Sequence, residues 1–365
     1  MDHSKDQKRV LKNTVMLYVR MAVIMGVSIF TSRIILQSLG VEDFGVFNIV
    51  GGIVVSLTFI TNTLISSTQR FLSYEIGVGN SKEVSNVFSM SINIHLLFVI
   101  LVIFFLETIG LWFLNNVIVV PPTRIYAANI VFHTSVLIFS LNLIRVPFNA
   151  LIISTEKMNV YAVISIIEAI VKLVIAYMIT LFPDRLIAYG IMLLLANILI
   201  NLAYIISCKL LCSQYCTYKF EKNAPLLKRM LGFSGWNMLG GVSGVAVQEG
   251  PNYLMNIFLG VHINAAMGLA KQVSGAIYSF TSNFQTAFNP QIVKLYASKD
   301  FEYLKKMIFM SSQLSFYFMM VFAVPIIIYS KLIFSIWLVE VPDYAIDFCI
   351  ILMSSQMNIM QKSIA

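Results

Sequence analysis

Charge is scarce in this chain. Of its 365 residues only 12% are Asp, Glu, Lys or Arg, about half of what a soluble domain carries on its surface. With 58% hydrophobic residues and a mean hydropathy of +0.83, a water-soluble globule is excluded. Histidine and cysteine are rare, with four of each. Cys208, Cys212 and Cys216 recur every four residues, but no His or acidic cluster accompanies them, so they do not read as a metal site. Cys349 falls inside an apolar segment, and nothing outlines a disulfide framework. A Gly-Lys-Ser/Thr phosphate loop is missing, so the chain is no ATPase on its own. No polar stretch is long enough for a catalytic domain, which argues against a glycan polymerase or acyltransferase. No enzymatic activity and no tightly bound cofactor are expected.

What is abundant is apolar sequence in long runs. A helix rises about 1.5 Å per residue, so roughly 20 apolar residues span the hydrocarbon layer. Ten spans are expected: Val10–Leu39, Phe44–Ser66, Val87–Leu114, Ile125–Ser154, Tyr161–Phe182, Leu186–Leu211, Met230–Leu259, Ala265–Phe288, Met307–Trp337 and Tyr344–Gln361. They are too long for barrel strands and lack strict alternation, so the expected fold class is an all-α polytopic bundle. Met1–Lys12 is polar and basic, and the apolar segment after it is too long for a cleaved signal.

The net charge of +8 does not imply a nucleic-acid partner, because it sits in short loops. Lys5, Lys8, Arg9 and Lys12 precede the first span. Arg70 and Lys82 follow the second, and Lys157 the fourth. Lys219, Lys222, Lys228 and Arg229 follow the sixth, and Lys294, Lys299, Lys305 and Lys306 the eighth. The alternate connections hold Glu42, Asp43, Arg124, Asp184, Arg185, His262, Glu340 and Asp343. Positive residues flank the cytoplasmic ends of spans, so the N-terminus is expected in the cytoplasm.

A shift of 220 residues aligns the two halves without a gap over roughly the first 85 residues of each: Leu39-Gly40-Val41 falls on Leu259-Gly260-Val261, and Lys8-Arg9 on Lys228-Arg229. An even number of spans separates the copies, so the repeat is parallel, with its axis along the membrane normal. The expected domains are a six-helix lobe over residues 1–212, a cytoplasmic linker over 213–228, and a lobe of about four helices over 229–365. The second lobe is two spans short of the first, so a truncated chain is expected.

The segments Asn13-Thr14, Thr31-Ser32-Arg33-Ile34-Ile35-Leu36 and Leu39-Gly40-Val41-Glu42-Asp43-Phe44-Gly45-Val46-Phe47-Asn48 carry a family likeness. So does Ser67-Thr68-Gln69-Arg70-Phe71 with its Gly77–Gly79 turn. They resemble the bacterial polysaccharide exporters, the O-antigen and lipid-linked oligosaccharide flippases of the multidrug/oligosaccharidyl-lipid/polysaccharide superfamily. The resemblance implies two six-helix bundles around a central cavity and twelve or fourteen spans, so this chain departs from the pattern at its C-terminus. It also implies a lipid-linked oligosaccharide as cargo and membrane lipids and other polysaccharide-assembly proteins as partners. A cation-coupled multidrug exporter of the same superfamily is the alternative.

Ionisable groups within spans cost about 2.5–3.5 kcal/mol each on insertion scales, so each needs a reason. Arg20 lies near the middle of the first span, where a cavity-facing role on a phosphate competes with an internal ion pair. Arg33 lies near the far interface, either on the cavity or as an anchor to headgroups. Thirteen residues place it about 140° round the helix from Arg20. Lys271 in the eighth span, a second-lobe cation or a snorkelling lysine, and Arg145 in the fourth, on the cavity or, the favoured reading, at the cytoplasmic interface, complete the candidate cations. If the cargo is anionic, Arg20, Arg33 and Lys271 are expected to line one cavity. Glu249 and Asn252, beside Gly250-Pro251, are candidates for Na⁺ or H⁺ coupling, since a broken helix frees carbonyls near an acid. His95 either bonds cargo or is a buried neutral histidine. Glu168 and Lys172 are expected to pair on one helix face. Asn142, Asn149, Asn197 and Asn201 either bond sugars or join helices.

Overall fold

The computed structural model describes residues 3–155, 157–297 and 301–362. Every regular element among them is helical. Lys299, counted above among the loop cations, lies outside the described residues.

The first helix, α1 (His3–Val55), is two helices joined at Gly40, which has φ 77° and ψ 170°. After a break at Ser56–Leu57 the chain continues as α2 (Thr58–Val78), which ends on Gly79 in the left-handed region, its N–H bonded to Glu75 and Ile76 carbonyls. The Asn80 side chain then caps α3 (Ser81–Phe105) by accepting the Glu83 N–H. One wide turn at Leu106–Gly110 leads into α4 (Leu111–Asn116). Next come α5 (Ile125–Ser154), with Pro147 inside it, and α6 (Met158–Met178). Asp184 caps α7 (Arg185–Leu211) through the Ile187 N–H, and Asn223 caps α8 (Ala224–Leu259) through the Leu226 N–H. Gly260 turns the chain with φ 82° and ψ −174° into α9 (Val261–Ala297). The remainder is α10 (Phe301–Ile328), α11 (Ser330–Trp337) and α12 (Ala345–Lys362).

Each of the ten expected spans overlaps these helices. Among the described residues, six stretches are long and apolar enough to cross a bilayer on that ground alone: Val19–Val55, Ser81–Asn116, Pro122–Ser154, Met158–Leu181, Arg185–Leu211 and Phe301–Ile328. The chain is a multi-pass membrane protein. It packs as two compact units, Met1–Gly260 and Val261–Ala365. In the first, α5 is central, packed by α1, α2, α3 and α7, with Phe132, Leu143, Leu151 and Ile152 fully buried along it. α8, which the repeat assigns to the second half, packs here on α2. In the second unit α9, α10 and α12 pack on one another.

Loops that the charge pattern assigns to one side do meet. At one end Arg124, after the third span, binds both Asp43 and Asp184, from the connections after the first and fifth. At the opposite end, Ser89 and Asn93 at the start of the third span donate to Thr217 and Glu221 carbonyls in the connection after the sixth. The first is called the distal end below and the second the proximal end.

Gly40 and Gly260 occupy the same place in the 220-residue repeat and share one conformation, a region that is essentially glycine-only. Nothing lies within 4 Å of a Cβ added at either, so a substitution there reports backbone strain alone. Gly40→Ala and Gly260→Ala are each expected to cost about 1–3 kcal/mol. Thermal unfolding in detergent checks this, and variants that melt with the wild type contradict it.

Candidate functional site

Four helices of the first unit bring a polar network into an otherwise apolar bundle. α1 supplies Arg20, α5 supplies Asn142 and Arg145, α6 supplies Tyr161, Ser165, Glu168 and Lys172, and α7 supplies Asn197, Asn201 and Tyr204. Arg20 Nη2 donates to the Tyr161 hydroxyl at 3.0 Å, and the guanidinium lies 4.3 Å from that ring's centroid. Arg20 Nε is buried and has no hydrogen-bond partner among the described residues. Tyr161 neighbours Tyr204, ring centroids 6.5 Å apart, and the Tyr204 hydroxyl lies 3.3 Å from Ser165 Oγ. Arg145 lies over Tyr204 at 5.1 Å and donates to Glu168 at 3.1 Å, while Lys172 takes the other carboxylate oxygen at 2.8 Å. Asn197 joins Asn142 at 3.3 Å and Asn201 at 2.8 Å.

The physical logic is one acid among three cations. Glu168 is four residues before Lys172, so the two share a helix face, as expected. Arg145 also reaches this acid, which places it inside the bundle on an ion pair rather than at an interface. The network therefore keeps a net positive charge, carried partly by an arginine stacked on tyrosine. Lys172 is the more exposed partner, its side chain 48% exposed against 20% for Glu168. Tyr161 and Tyr204 were not singled out by sequence reasoning. Arg20 and Tyr161 are 141 residues apart, and no local pattern announces the pair.

The other candidates fall elsewhere. Arg33 does not join Arg20: it lines a separate groove near the distal end with Arg185, Gln37 and Thr180. Lys271 lies on α9 in the second unit, partly buried. His95 is buried in α3, with Nδ1 2.6 Å from its own helix's Ser91 carbonyl and Nε2 unpaired. Glu249 and Asn252 face α1: a Cβ added at Gly52 would lie 3.7 Å from Glu249 Oε2 and 3.5 Å from Asn252 Nδ2. One residue on, the Tyr253 hydroxyl donates to the Gly52 carbonyl at 2.7 Å and pairs with the Ser56 hydroxyl. Asn256, fully buried, takes the Val119 N–H at 2.9 Å and donates to the Val119 carbonyl. At the proximal end Arg70 lies over Phe233 and Arg229 over Phe71. α8 is thus held to the first six spans at both ends by polar and cation–π contacts. Among the described residues, no group of three or more His, Cys, Asp or Glu forms a metal site.

The distal clasp is electrostatic. Arg124 donates to Asp43 through Nε and Nη2, both at 2.6 Å, and to Asp184 through Nη1 at 3.0 Å. At Asp184 burial pushes the carboxyl up, but the Ile187 N–H and the Arg124 guanidinium outweigh it and hold the group below its ordinary value.

Glu168→Gln leaves Arg145 and Lys172 without their carboxylate, and a lowered melting temperature is expected, by about 1–3 kcal/mol of stability. Adding Arg145→Gln should recover part of the loss, because an orphaned charge goes with it. A single variant as stable as the wild type contradicts the pairing. The depressed Asp184 carboxyl contributes stability that is fully present above its ordinary value of 3.8 and lost as pH falls through its lower folded value. Acid melts of wild type and Asp184→Asn should therefore converge only below that range. Convergence at neutral pH contradicts it.

No family model matches the sequence, and no curated protein matches it. Solved structures do. An outward-facing multidrug resistance MATE family transporter of the MOP superfamily is similar at TM-score 0.67 and 16% identity, with 97% of this chain and 81% of that one covered. An inward-facing multidrug resistance MATE family transporter gives 0.64 and 12%, covering 94% and 82%. The MATE multidrug transporter DinF-BH, solved as a complex, gives 0.65 and 11%, covering 90% and 74%. Identities this low carry the fold alone. The sequence resemblance pointed to polysaccharide exporters, whereas these neighbours are multidrug transporters of the same superfamily. The chain has the fold of the MATE transporters.

Proposed function

We propose that this chain is a membrane transporter working by alternating access between two lobes, residues 1–212 and 229–365, and that its cargo is an anionic amphiphile. The observation that carries the cargo class is the network in which Arg145 and Lys172 share the acid Glu168 while Arg20 rests on Tyr161. A phosphate or pyrophosphate headgroup crossing the bilayer needs a cationic, water-accessible wall. Arginine forks match phosphate oxygens and stay charged at any pH. Arg20 keeps a buried Nε–H unpaired among the described residues. The family resemblance then narrows the cargo to an undecaprenyl-pyrophosphate-linked oligosaccharide for surface polysaccharide or O-antigen. Asn142, Asn197 and Asn201 offer amides for sugar hydroxyls, and Glu249 with Asn252 is the candidate coupling site for Na⁺ or H⁺. The loop charges support a cytoplasmic N-terminus, and the family resemblance supports a bacterial inner membrane.

A second reading has its own support. The solved neighbours are multidrug transporters, so likeness of fold favours a multidrug exporter over a glycan flippase. The charge of the network is what favours the anionic cargo, since a cationic drug is repelled by a net-positive wall.

Complementation of a flippase-deficient bacterial strain separates the two. Wild type is expected to restore the surface glycan, Arg20→Ala to lose most of that rescue, and Arg20→Lys to keep part, because the charge remains while the fork is lost. Full rescue by Arg20→Ala removes the cationic-site assignment. No rescue by wild type, together with dye efflux, establishes the multidrug reading instead.

A further inference from the structure

We infer that the groove between α1 and α6 at the distal end is a binding site for the phosphate of a membrane lipid, separate from the Arg20 network. The groove has a volume of about 500 Å³ and is lined by Arg33, Gln37, Ser38, Tyr177, Thr180 and Arg185, with Phe30 and Ile34 at its apolar edge. It holds two arginines and no carboxylate among its lining residues. Asp43 and Asp184, on neighbouring connections, are both engaged by Arg124. Arg185 is tied in place, its Nη1 donating to the Ser38 carbonyl at 2.7 Å, and Ser38 Oγ in turn reaches the Ala176 carbonyl of α6 at 3.4 Å. The Gln37 amide and the Thr180 hydroxyl add neutral hydrogen-bonding groups beside the cations.

What surrounds the groove selects an amphiphile over a free anion. Phe30 is 63% exposed and Tyr177 61% exposed at its rim. With a period of 3.6 residues, Val23, Phe30 and Gln37 share one face of α1, and Ile170, Val174 and Tyr177 share one face of α6. The apolar members of both faces are exposed. Each stripe therefore runs from the polar groove into the apolar length of its helix, so a headgroup on the arginines leaves its acyl chains against side chains of matching polarity. Arg20 lies thirteen residues away along α1, about 20 Å, and its partner Tyr161 is at the other end of α6. The loop charges put this groove in the leaflet away from the cytoplasm.

The test uses the purified full chain in detergent, with melting temperature followed as short-chain phosphatidylglycerol, short-chain phosphatidylcholine or inorganic pyrophosphate is added. Phosphatidylglycerol is expected to raise the melting temperature saturably, and the other two to do so weakly or not at all. Arg33→Gln with Arg185→Gln should weaken the phosphatidylglycerol response about tenfold or more, the loss expected for charge-assisted bonds. Gln37→Glu leaves both arginines in place and puts a carboxylate among them. It should weaken the response too, which keeps the test decisive if the double variant does not fold. An unchanged response in Gln37→Glu overturns the site, and pyrophosphate acting as strongly as the lipid overturns the amphiphile. The readout needs no transport, so it succeeds or fails independently of the cargo proposed above.

Discussion

The carboxylate of Glu168 is the contact on which the interior of the first unit depends. Arg20 of α1, Arg145 of α5 and Lys172 of α6 stand within spans, in a medium where an unanswered charge is expensive. One acid between Arg145 and Lys172 answers two of them. Tyrosine faces and hydroxyls take the rest, at Tyr161 for Arg20 and at Tyr204 for Arg145. The compromise holds four helices in register and leaves the network short of neutrality. A fully neutral network would be a structural brace; a net-positive one can also receive an anion.

The same chain treats charge differently at the distal end. There Arg124 is bound by two aspartates, and the result is a clasp joining three connections. α8 is drawn onto the same bundle through Tyr253 and Asn256 near that end and through paired arginine–phenylalanine contacts at the other. Polar and cation–π contacts of this kind exchange more readily than an interdigitated apolar core such as that of buried Phe132, Leu143 and Leu151.

Much of the fold was legible in the sequence because hydropathy and loop charge are local signals. The spans, the meeting of alternate loops and the equivalence of Gly40 with Gly260 all followed from runs, signs and spacing. The Glu168–Lys172 pair was legible for the same reason, being one helical turn long. The site was less so. Tyr161 and Tyr204 reach arginines on other helices, and only packing brings them together. Arg20 and Arg33 were candidates for one cavity, yet the helix period that separated their directions also sent Arg33 into a groove of its own. Arg185, read as a loop charge, became part of that groove because α7 starts beside the end of α6. The fold neighbours, at 11–16% identity, speak only of architecture.

The claim that the interior of the first unit serves an anionic amphiphile is tested most directly by reconstitution. The purified chain is placed in liposomes carrying a fluorescent polyprenyl pyrophosphate in the inner leaflet, and its appearance in the outer leaflet is timed with a membrane-impermeant quencher. Parallel vesicles hold a cationic fluorescent dye. The account predicts protein-dependent movement of the pyrophosphate lipid that the dye neither shares nor inhibits. Dye export with no movement of the anionic lipid would contradict it.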